Sequence, residues 1–220
     1  MRRVLETTRG AQTLLDTRDT PKAPPADFKT RMLPSLTASG AFYRCAAKTR
    51  PLVDWDSRDT SRFSHPSLPF PVLYLSEDKL TGFWECFGDE LNDQPQEDKA
   101  LYKTKHLEPR QWVRFQIDAK LHVIDVTDVA TLRKIGADAA TFLADYTLTQ
   151  QWAKQLMEHP AGLDGLFYSS RLDGGRGCLA VFGRPHLFNS PALFQAKSDG
   201  SLLEDLDLLL FLAREKISVI

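Results

Sequence analysis

Residues 71–91, PVLYLSEDKLTGFWECFGDEL, place a short apolar segment directly before an amphipathic one. The run PVLYLS predicts a strand, because short apolar runs next to polar or turn residues are typical of buried strands. In the residues that follow, Leu80, Phe83, Trp84 and Phe87 recur at i, i+3, i+4 and i+7. That spacing predicts an α-helix with one buried face, and the acidic residues at its start favour the helix dipole.

The rest of the chain mixes strands and helices without strict alternation, which favours an α+β fold over a doubly wound sheet. Strands are predicted at residues 40–46, 111–119, 121–126, 164–171 and 178–184, and helices at 3–17, 128–136, 137–145, 148–160 and 201–216. We expect a tight turn between the two strands at 111–126 and a hairpin at LDGGRG, residues 172–177. Residues 40–220 are therefore predicted to form a single α+β domain, a mixed or antiparallel central sheet flanked by helices. Residues 1–39 are predicted to form an N-terminal helix and a proline-rich arm.

Composition excludes several classes of function. The 28 basic and 29 acidic residues nearly cancel, so direct binding of nucleic acid is not expected. No run is long and apolar enough to span a bilayer, and the N-terminus lacks the apolar core of a signal peptide, so we expect a cytoplasmic protein that does not bind membranes. The three cysteines lack metal-ligand spacing, which predicts buried, reduced thiols and no metal site.

Two charged residues lie where a charge needs an explanation. Glu85 lies between Trp84 and Cys86 at the border of the apolar stripe, and Arg44 lies inside the aromatic segment FYRC. A buried, unpaired guanidinium is strongly unfavourable, so Arg44 either has a partner or faces water from an edge strand. Glu85 is either an ordinary surface residue or part of a site. No phosphate-binding loop, dinucleotide fingerprint, esterase or zinc-protease motif is present to decide between these readings.

Four segments, taken in their order along the chain, indicate more about the function than any one of them does alone. The segments FYRCA (42–46), SRF (61–63), PVLYLSEDKLTGFWECFGD (71–89) and GLDGLFYSSRLDGGRGCLAVFG (162–183) together resemble the RES domain of Xre–RES toxin–antitoxin pairs. The resemblance covers about residues 40 to 184. It departs from the family at RFSHP, where the family commonly has Arg-aromatic-Asn-Pro, and in the N-terminal extension.

The resemblance implies a fold related to ADP-ribosyltransferase toxins and an enzyme that cleaves the nicotinamide–ribose bond of NAD by phosphorolysis or hydrolysis. It assigns catalytic roles to Glu85, Arg44 and Ser170, and binding of NAD to Arg62, Tyr74 and Arg44. Inorganic phosphate is a co-substrate if the reaction is phosphorolysis, and no cofactor is implied. An Xre-type helix-turn-helix antitoxin is the implied partner, and a homodimer is left open. Two alternatives remain: an ADP-ribosyltransferase acting on a protein or other acceptor, and a non-catalytic module that binds a nucleotide or a partner.

Overall fold

A computed structural model describes residues 21–56, 61–68, 70–96 and 99–220. The helix predicted at residues 3–17 lies outside the described residues. The arm that follows packs on the body of the protein: Phe28 is buried against Trp152, with ring centroids 5.2 Å apart, and the Trp152 indole donates to the carbonyl of Lys22 at 2.6 Å. The domain boundary at residue 40 stays a prediction, although the first strand already begins at Leu36.

The described residues contain eight strands and five α-helices, numbered here in chain order. The strands are β1 (Leu36–Ala47), β2 (Val72–Ser76), β3 (Ala100–Leu101), β4 (Arg110–Asp125), β5 (Gly165–Ser169), β6 (Gly177–Phe182), β7 (Lys197–Ser201) and β8 (Ser218–Val219). The α-helices are α1 (Lys79–Asn92), α2 (Val129–Ile135), α3 (Tyr146–Met157), α4 (Pro185–Phe188) and α5 (Leu206–Arg214). Short 3-10 turns at Phe28–Thr30, Ala139–Phe142, Pro191–Phe194 and Leu202–Glu204 and a π-helical turn at Lys103–Leu107 connect them.

Five of the strands form a closed ring. The order in the main sheet is β1-β2-β6-β5-β4-β7, and β1 also pairs with β4, so β1, β2, β6, β5 and β4 close on themselves. The pairs are antiparallel except β4 with β5, which is parallel. The predicted α+β class with a mixed sheet flanked by helices is therefore confirmed.

Three hydrophobic cores surround and fill this ring. The ring core joins side chains from four strands of the ring, among them Phe42, Leu73, Phe115 and Val181. The α3 core joins α2 and α3 to β5 and β6 and includes Phe63, Trp152 and Tyr168. The α1 core joins α1 and α5 to β1 and β4 and includes Phe83, Phe87 and Trp112.

Several predicted elements are wrong in their extent, among them the helix predicted at 137–145, which is a 3-10 turn at Ala139–Phe142. The tight turn expected near residue 120 is absent, because β4 continues from Arg110 to Asp125 while β1 pairs along most of its length. The irregularity lies in β1 instead, where the register shifts between Ala38 and Gly40 and Gly40 takes a φ of 114°. Such a bulge lets a long strand pair bend without a turn.

The helix predicted at 201–216 begins only at Leu206, because the Asp205 side chain accepts from Leu208 N and caps it. Strand β7 lies just before this helix in the chain and pairs with β4, and it was not predicted. None of the helices described here is both long and apolar enough to cross a bilayer.

Candidate functional site

A cavity of about 510 Å³ opens between β1, β2, the first turns of α1 and the loop at residues 61–63. Four of the five predicted site residues line it: Arg44, Arg62, Tyr74 and Glu85. The fifth, Ser170, contacts Glu85 directly. Residues drawn from more than half of the chain are thus brought together, while their roles remain predictions.

The carboxylate of Glu85 is oriented by a buried serine. Ser170 is 1% exposed, and its Oγ lies 2.6 Å from Glu85 Oε1. The same Oγ accepts hydrogen bonds from Leu172 N and Asp173 N at 3.1 Å each. Because two donors already point at the oxygen, the single hydroxyl proton is directed to Glu85. Glu85 is an exposed residue of α1, but its carboxylate faces the cavity and is held there by a charge-assisted hydrogen bond.

Tyr168 closes the floor of the cavity behind Glu85. Its hydroxyl donates to Glu85 Oε2 over a long 3.5 Å, and its ring is almost fully buried in the α3 core. Burial and the neighbouring Cys178 and Glu85 raise the pKa of Tyr168 well above its usual value. The phenol therefore stays a neutral donor next to the carboxylate.

Arg62 is a buried cation without a carboxylate partner among the described residues. The side chain is held by Phe142, whose carbonyl accepts from its Nη2, and by the rings of Phe63 and Tyr168, whose centroids lie 5.4 and 5.6 Å from its guanidinium carbon. Its Nε is buried and makes no hydrogen bond in this part of the structure. The backbone is fixed as well, because Thr149 Oγ1 of α3 donates to the Arg62 carbonyl at 2.9 Å. An anion in the cavity would satisfy this guanidinium.

Tyr74 contributes an aromatic wall to the cavity rather than a free hydroxyl. Its oxygen accepts from Phe63 N at 3.0 Å, which ties β2 to the loop that carries Arg62. Burial raises the pKa of Tyr74 above its usual value, so the hydroxyl is neutral. The ring is left facing the cavity, where a flat ligand ring can stack on it.

Arg44 has the partner that its place in the sequence required. Its Nη1 donates to the carbonyl of Asp54, and its Nη2 lies 3.9 Å from Asp54 Oδ2. Burial lowers the pKa of Arg44 from its usual value, and the charges of Asp54 and Asp56 oppose that shift. The edge-strand reading of Arg44 is not supported, since its side chain is only 19% exposed and lines the cavity.

Other charged residues, which were not predicted as site residues, line the same cavity. Arg110, the first residue of β4, lies against the ring of Phe87, and its side chain makes no hydrogen bond or ion pair with any described residue. Arg171 is paired with Asp89, whose two oxygens lie 2.7 and 2.8 Å from its Nη2. Arg171 could have been suspected from its place after Ser170. Arg110 reaches the cavity through strand pairing, because it lies opposite Ala47 of β1, and no sequence signal marks that.

The three cysteines are free thiols, but only two of them are buried. Cys45 and Cys178 are buried, whereas Cys86 is partly exposed and lines the cavity together with Cys45. The prediction of buried thiols is therefore wrong for Cys86. Among the residues that the structure describes, no group of three or more His, Cys, Asp or Glu is arranged to hold a metal ion.

Comparisons with known proteins identify the family and a similar fold. A family model described as RES domain matches residues 37–202, about three quarters of the chain. Among solved structures, a chain of the M. tuberculosis MbcT-MbcA toxin-antitoxin complex is similar, with a TM-score of 0.50, 18% identity, and coverage of 76% of this chain and 85% of that one. At this identity the likeness concerns the fold alone. No curated protein matches the chain.

Proposed function

This chain belongs to the RES domain family, and from that membership and the cavity we propose that it degrades NAD by cleaving the nicotinamide–ribose bond. The observation that carries the proposal is the contact between Ser170 and Glu85, which fixes a carboxylate on the wall of a cavity lined by arginines and tyrosines. A dinucleotide with a cationic ring offers a matching set of groups: phosphates for the guanidinium groups, a flat pyridinium for an aromatic wall, and a ribose for the carboxylate.

The carboxylate has its largest effect in the transition state. When the bond between the nicotinamide nitrogen and the ribose carbon breaks, the electron pair leaves with the ring, which becomes neutral. Positive charge then develops on the ribose, and Glu85 stabilises it electrostatically and by accepting hydrogen bonds from ribose hydroxyls. Nicotinamide departs without needing a proton, so the proposal requires no general acid at the leaving group.

The cations are suited to the anionic parts of the substrates. Arg62 and Arg110 have no carboxylate partner among the described residues, so each can pair with a phosphate without breaking an existing ion pair. Arg44 already contacts Asp54 and lies on the same wall as Arg110. Attack by inorganic phosphate needs no base, because the nucleophile is already an anion, whereas attack by water has to release a proton. We propose phosphorolysis or hydrolysis, which one assay separates.

We further propose that the activity is toxic to the cell and is neutralised by an antitoxin of the Xre helix-turn-helix type. Two findings support this: the family assignment and the similar fold of a chain from a toxin-antitoxin complex. An antitoxin that covers the cavity would keep NAD from Glu85. Co-expression with a candidate antitoxin should rescue growth, and a failure to rescue would contradict the partner without contradicting the chemistry.

The chemistry is tested by incubating the purified protein with NAD, with and without inorganic phosphate, and measuring nicotinamide release and product mass. A product that carries an added phosphate indicates phosphorolysis, and free ADP-ribose indicates hydrolysis. Glu85→Gln keeps the shape of the side chain and should lower the rate by roughly a hundredfold or more, because one transition-state contact is worth about 3 kcal/mol. Glu90→Gln is the matched control, since Glu90 lies on the same helix but pairs with Lys105 outside the cavity.

Other outcomes would overturn the proposal. ADP-ribose attached to a protein or another acceptor would identify a transferase instead. An unchanged NAD concentration with the folded wild-type protein would leave only a binding module.

A further inference from the structure

Cys45 and Cys86 form a pair of thiols on the cavity wall. α1 packs closely on β1 at this point, as the position of Gly82 indicates: a Cβ placed on it would lie 3.8 Å from the backbone nitrogen of Cys45. Cys86 follows Gly82 by four residues and so projects from the same face of the helix, one turn further on. Each thiol affects the pKa of the other, and both residues line the cavity.

The surroundings make the two thiols unequal. The neighbouring Cys45 thiol lowers the pKa of Cys86, burial opposes this shift, and the positive charges of Arg110 and Arg44 add to it. The Cys86 thiol and burial raise the pKa of Cys45 well above its usual value. Cys86 is partly exposed to the cavity whereas Cys45 is buried, so a reagent reaches Cys86 first. Since a thiolate is the reactive form of cysteine, the lowered pKa of Cys86 agrees with its being the nucleophile of the pair, and Cys45 is the group that resolves its product.

Each cysteine is also the chain neighbour of a predicted catalytic residue. Cys45 follows Arg44 on β1, and Cys86 follows Glu85 on α1. A covalent change at either sulfur therefore acts on the backbone that positions the guanidinium or the carboxylate. Cys178, the third cysteine, is buried and does not line the cavity, so it offers an internal comparison.

We propose that Cys86 and Cys45 are a thiol-oxidation site inside the cavity, which a low-molecular-weight disulfide converts to an intramolecular disulfide. In the first step the Cys86 sulfur attacks the reagent, a mixed disulfide forms, and one reagent thiol leaves. In the second step the Cys45 sulfur attacks the Cys86 sulfur, and the other reagent thiol leaves. The two protein thiols lose two electrons and two protons, and the reagent is reduced to two thiols.

The consequence for catalysis rests on the proposed function. A bond between β1 and α1 shifts Arg44 and Glu85 relative to each other, and displacements of about 1 Å can cost roughly a hundredfold in rate. Oxidation should therefore lower NAD cleavage by roughly tenfold to a hundredfold, and a reducing agent should restore it. The linkage itself is measured by mass and does not depend on any activity toward NAD.

The test exposes the full-length protein to hydroxyethyl disulfide, followed by intact mass measurement and peptide mapping. The wild type and Cys178→Ser should lose two hydrogen atoms and show the peptides of Cys45 and Cys86 joined. Cys45→Ser should stop at a single hydroxyethylthio adduct on Cys86, and Cys86→Ser should show neither a link nor an adduct. Brief alkylation of the wild type with iodoacetamide, which needs no variant, should label Cys86 well before Cys178.

Three results would overturn the inference. One is a wild-type protein that carries separate adducts without a link, which would remove Cys45 from the site. Another is modification of Cys178 as fast as that of Cys86, which would indicate general unfolding. The third is no modification of Cys86 at all. If the link forms but the unmodified protein does not cleave NAD, the thiol site stands and only the proposed function fails.

Discussion

Replacing Ser170 with alanine should lower the activity far more than the loss of a buried hydroxyl on an ordinary turn would suggest. The hydroxyl makes the 2.6 Å hydrogen bond that orients Glu85, and Ser170 is 1% exposed, so water cannot replace it. Hydrogen bonds to a charged group contribute about 1.5 to 3 kcal/mol. If that energy is realised in the transition state, kcat/KM falls by roughly 10- to 150-fold.

Stability is affected through a separate set of contacts. Ser170 Oγ accepts from Leu172 N and Asp173 N in the turn that joins β5 to β6. Losing these acceptors should cost about 1 to 2 kcal/mol of the free energy of unfolding. Activity must therefore be measured well below the unfolding temperature of the variant, and urea unfolding must be measured alongside it.

The matched control is Ser169→Ala. Ser169 is the preceding residue of the same strand, and its side chain makes no hydrogen bond with any of the described residues. Nicotinamide release should be nearly unchanged in this variant and strongly reduced in Ser170→Ala. If Ser170→Ala is less stable but cleaves NAD at the wild-type rate, Ser170 only supports the turn and does not position Glu85 for catalysis.

Two further predictions concern a cavity cation and a helix cap. Arg110→Ala should raise the KM for inorganic phosphate or for NAD by roughly tenfold with a smaller change in kcat, because an ion pair with the ligand is lost. Steady-state kinetics with each substrate varied in turn identifies which phosphate Arg110 binds. An unchanged KM for both substrates would contradict this role of Arg110. Asp205→Ala removes the cap of α5 and one of the two carboxylates that pair with Lys79, and should lower the free energy of unfolding at pH 7 by about 1 kcal/mol. Burial opposes ionisation of Asp205, but hydrogen bonds from Leu208 N and Lys79 outweigh it and hold the pKa of Asp205 below its usual value. The contribution of Asp205 to the free energy of unfolding is therefore present above about pH 4 and is lost as the pH falls through the folded-state pKa. In urea unfolding, the difference in the free energy of unfolding between variant and wild type should therefore be smaller at acid pH than at pH 7. A difference that stays constant would contradict a lowered pKa of Asp205.

The elements that could be predicted from the sequence are those whose signal is local. The strand and helix at 71–91 carry complete apolar patterns, and the observed elements, Val72–Ser76 and Lys79–Asn92, follow them closely. β7 has the sequence KSDGS, which is polar throughout and forms a strand only because β4 offers it an edge. No local pattern could indicate that, nor that β4 continues through residue 120.

The site was predictable in its residue types and less so in its partners. The chain order of the motifs indicated Arg44, Arg62, Tyr74, Glu85 and Ser170. The need of Arg44 for a partner followed from the cost of burying a charge, but its identity, Asp54, depends on a loop without periodic pattern. Arg110 became visible only through the register between β1 and β4.

The cavity lies at the boundary of separate hydrophobic cores, and this affects how the protein can lose its activity. Arg62 is held by the α3 core through Phe63 and Thr149, whereas Glu85 projects from a helix anchored in the α1 core by Phe83 and Phe87. The separation between guanidinium and carboxylate thus depends on how the two cores pack on the ring and on Tyr168 of the α3 core, which contacts both groups. Substitutions deep inside the α1 core or the α3 core, remote from any ligand, can lower the proposed activity while the strands of the ring remain fully folded.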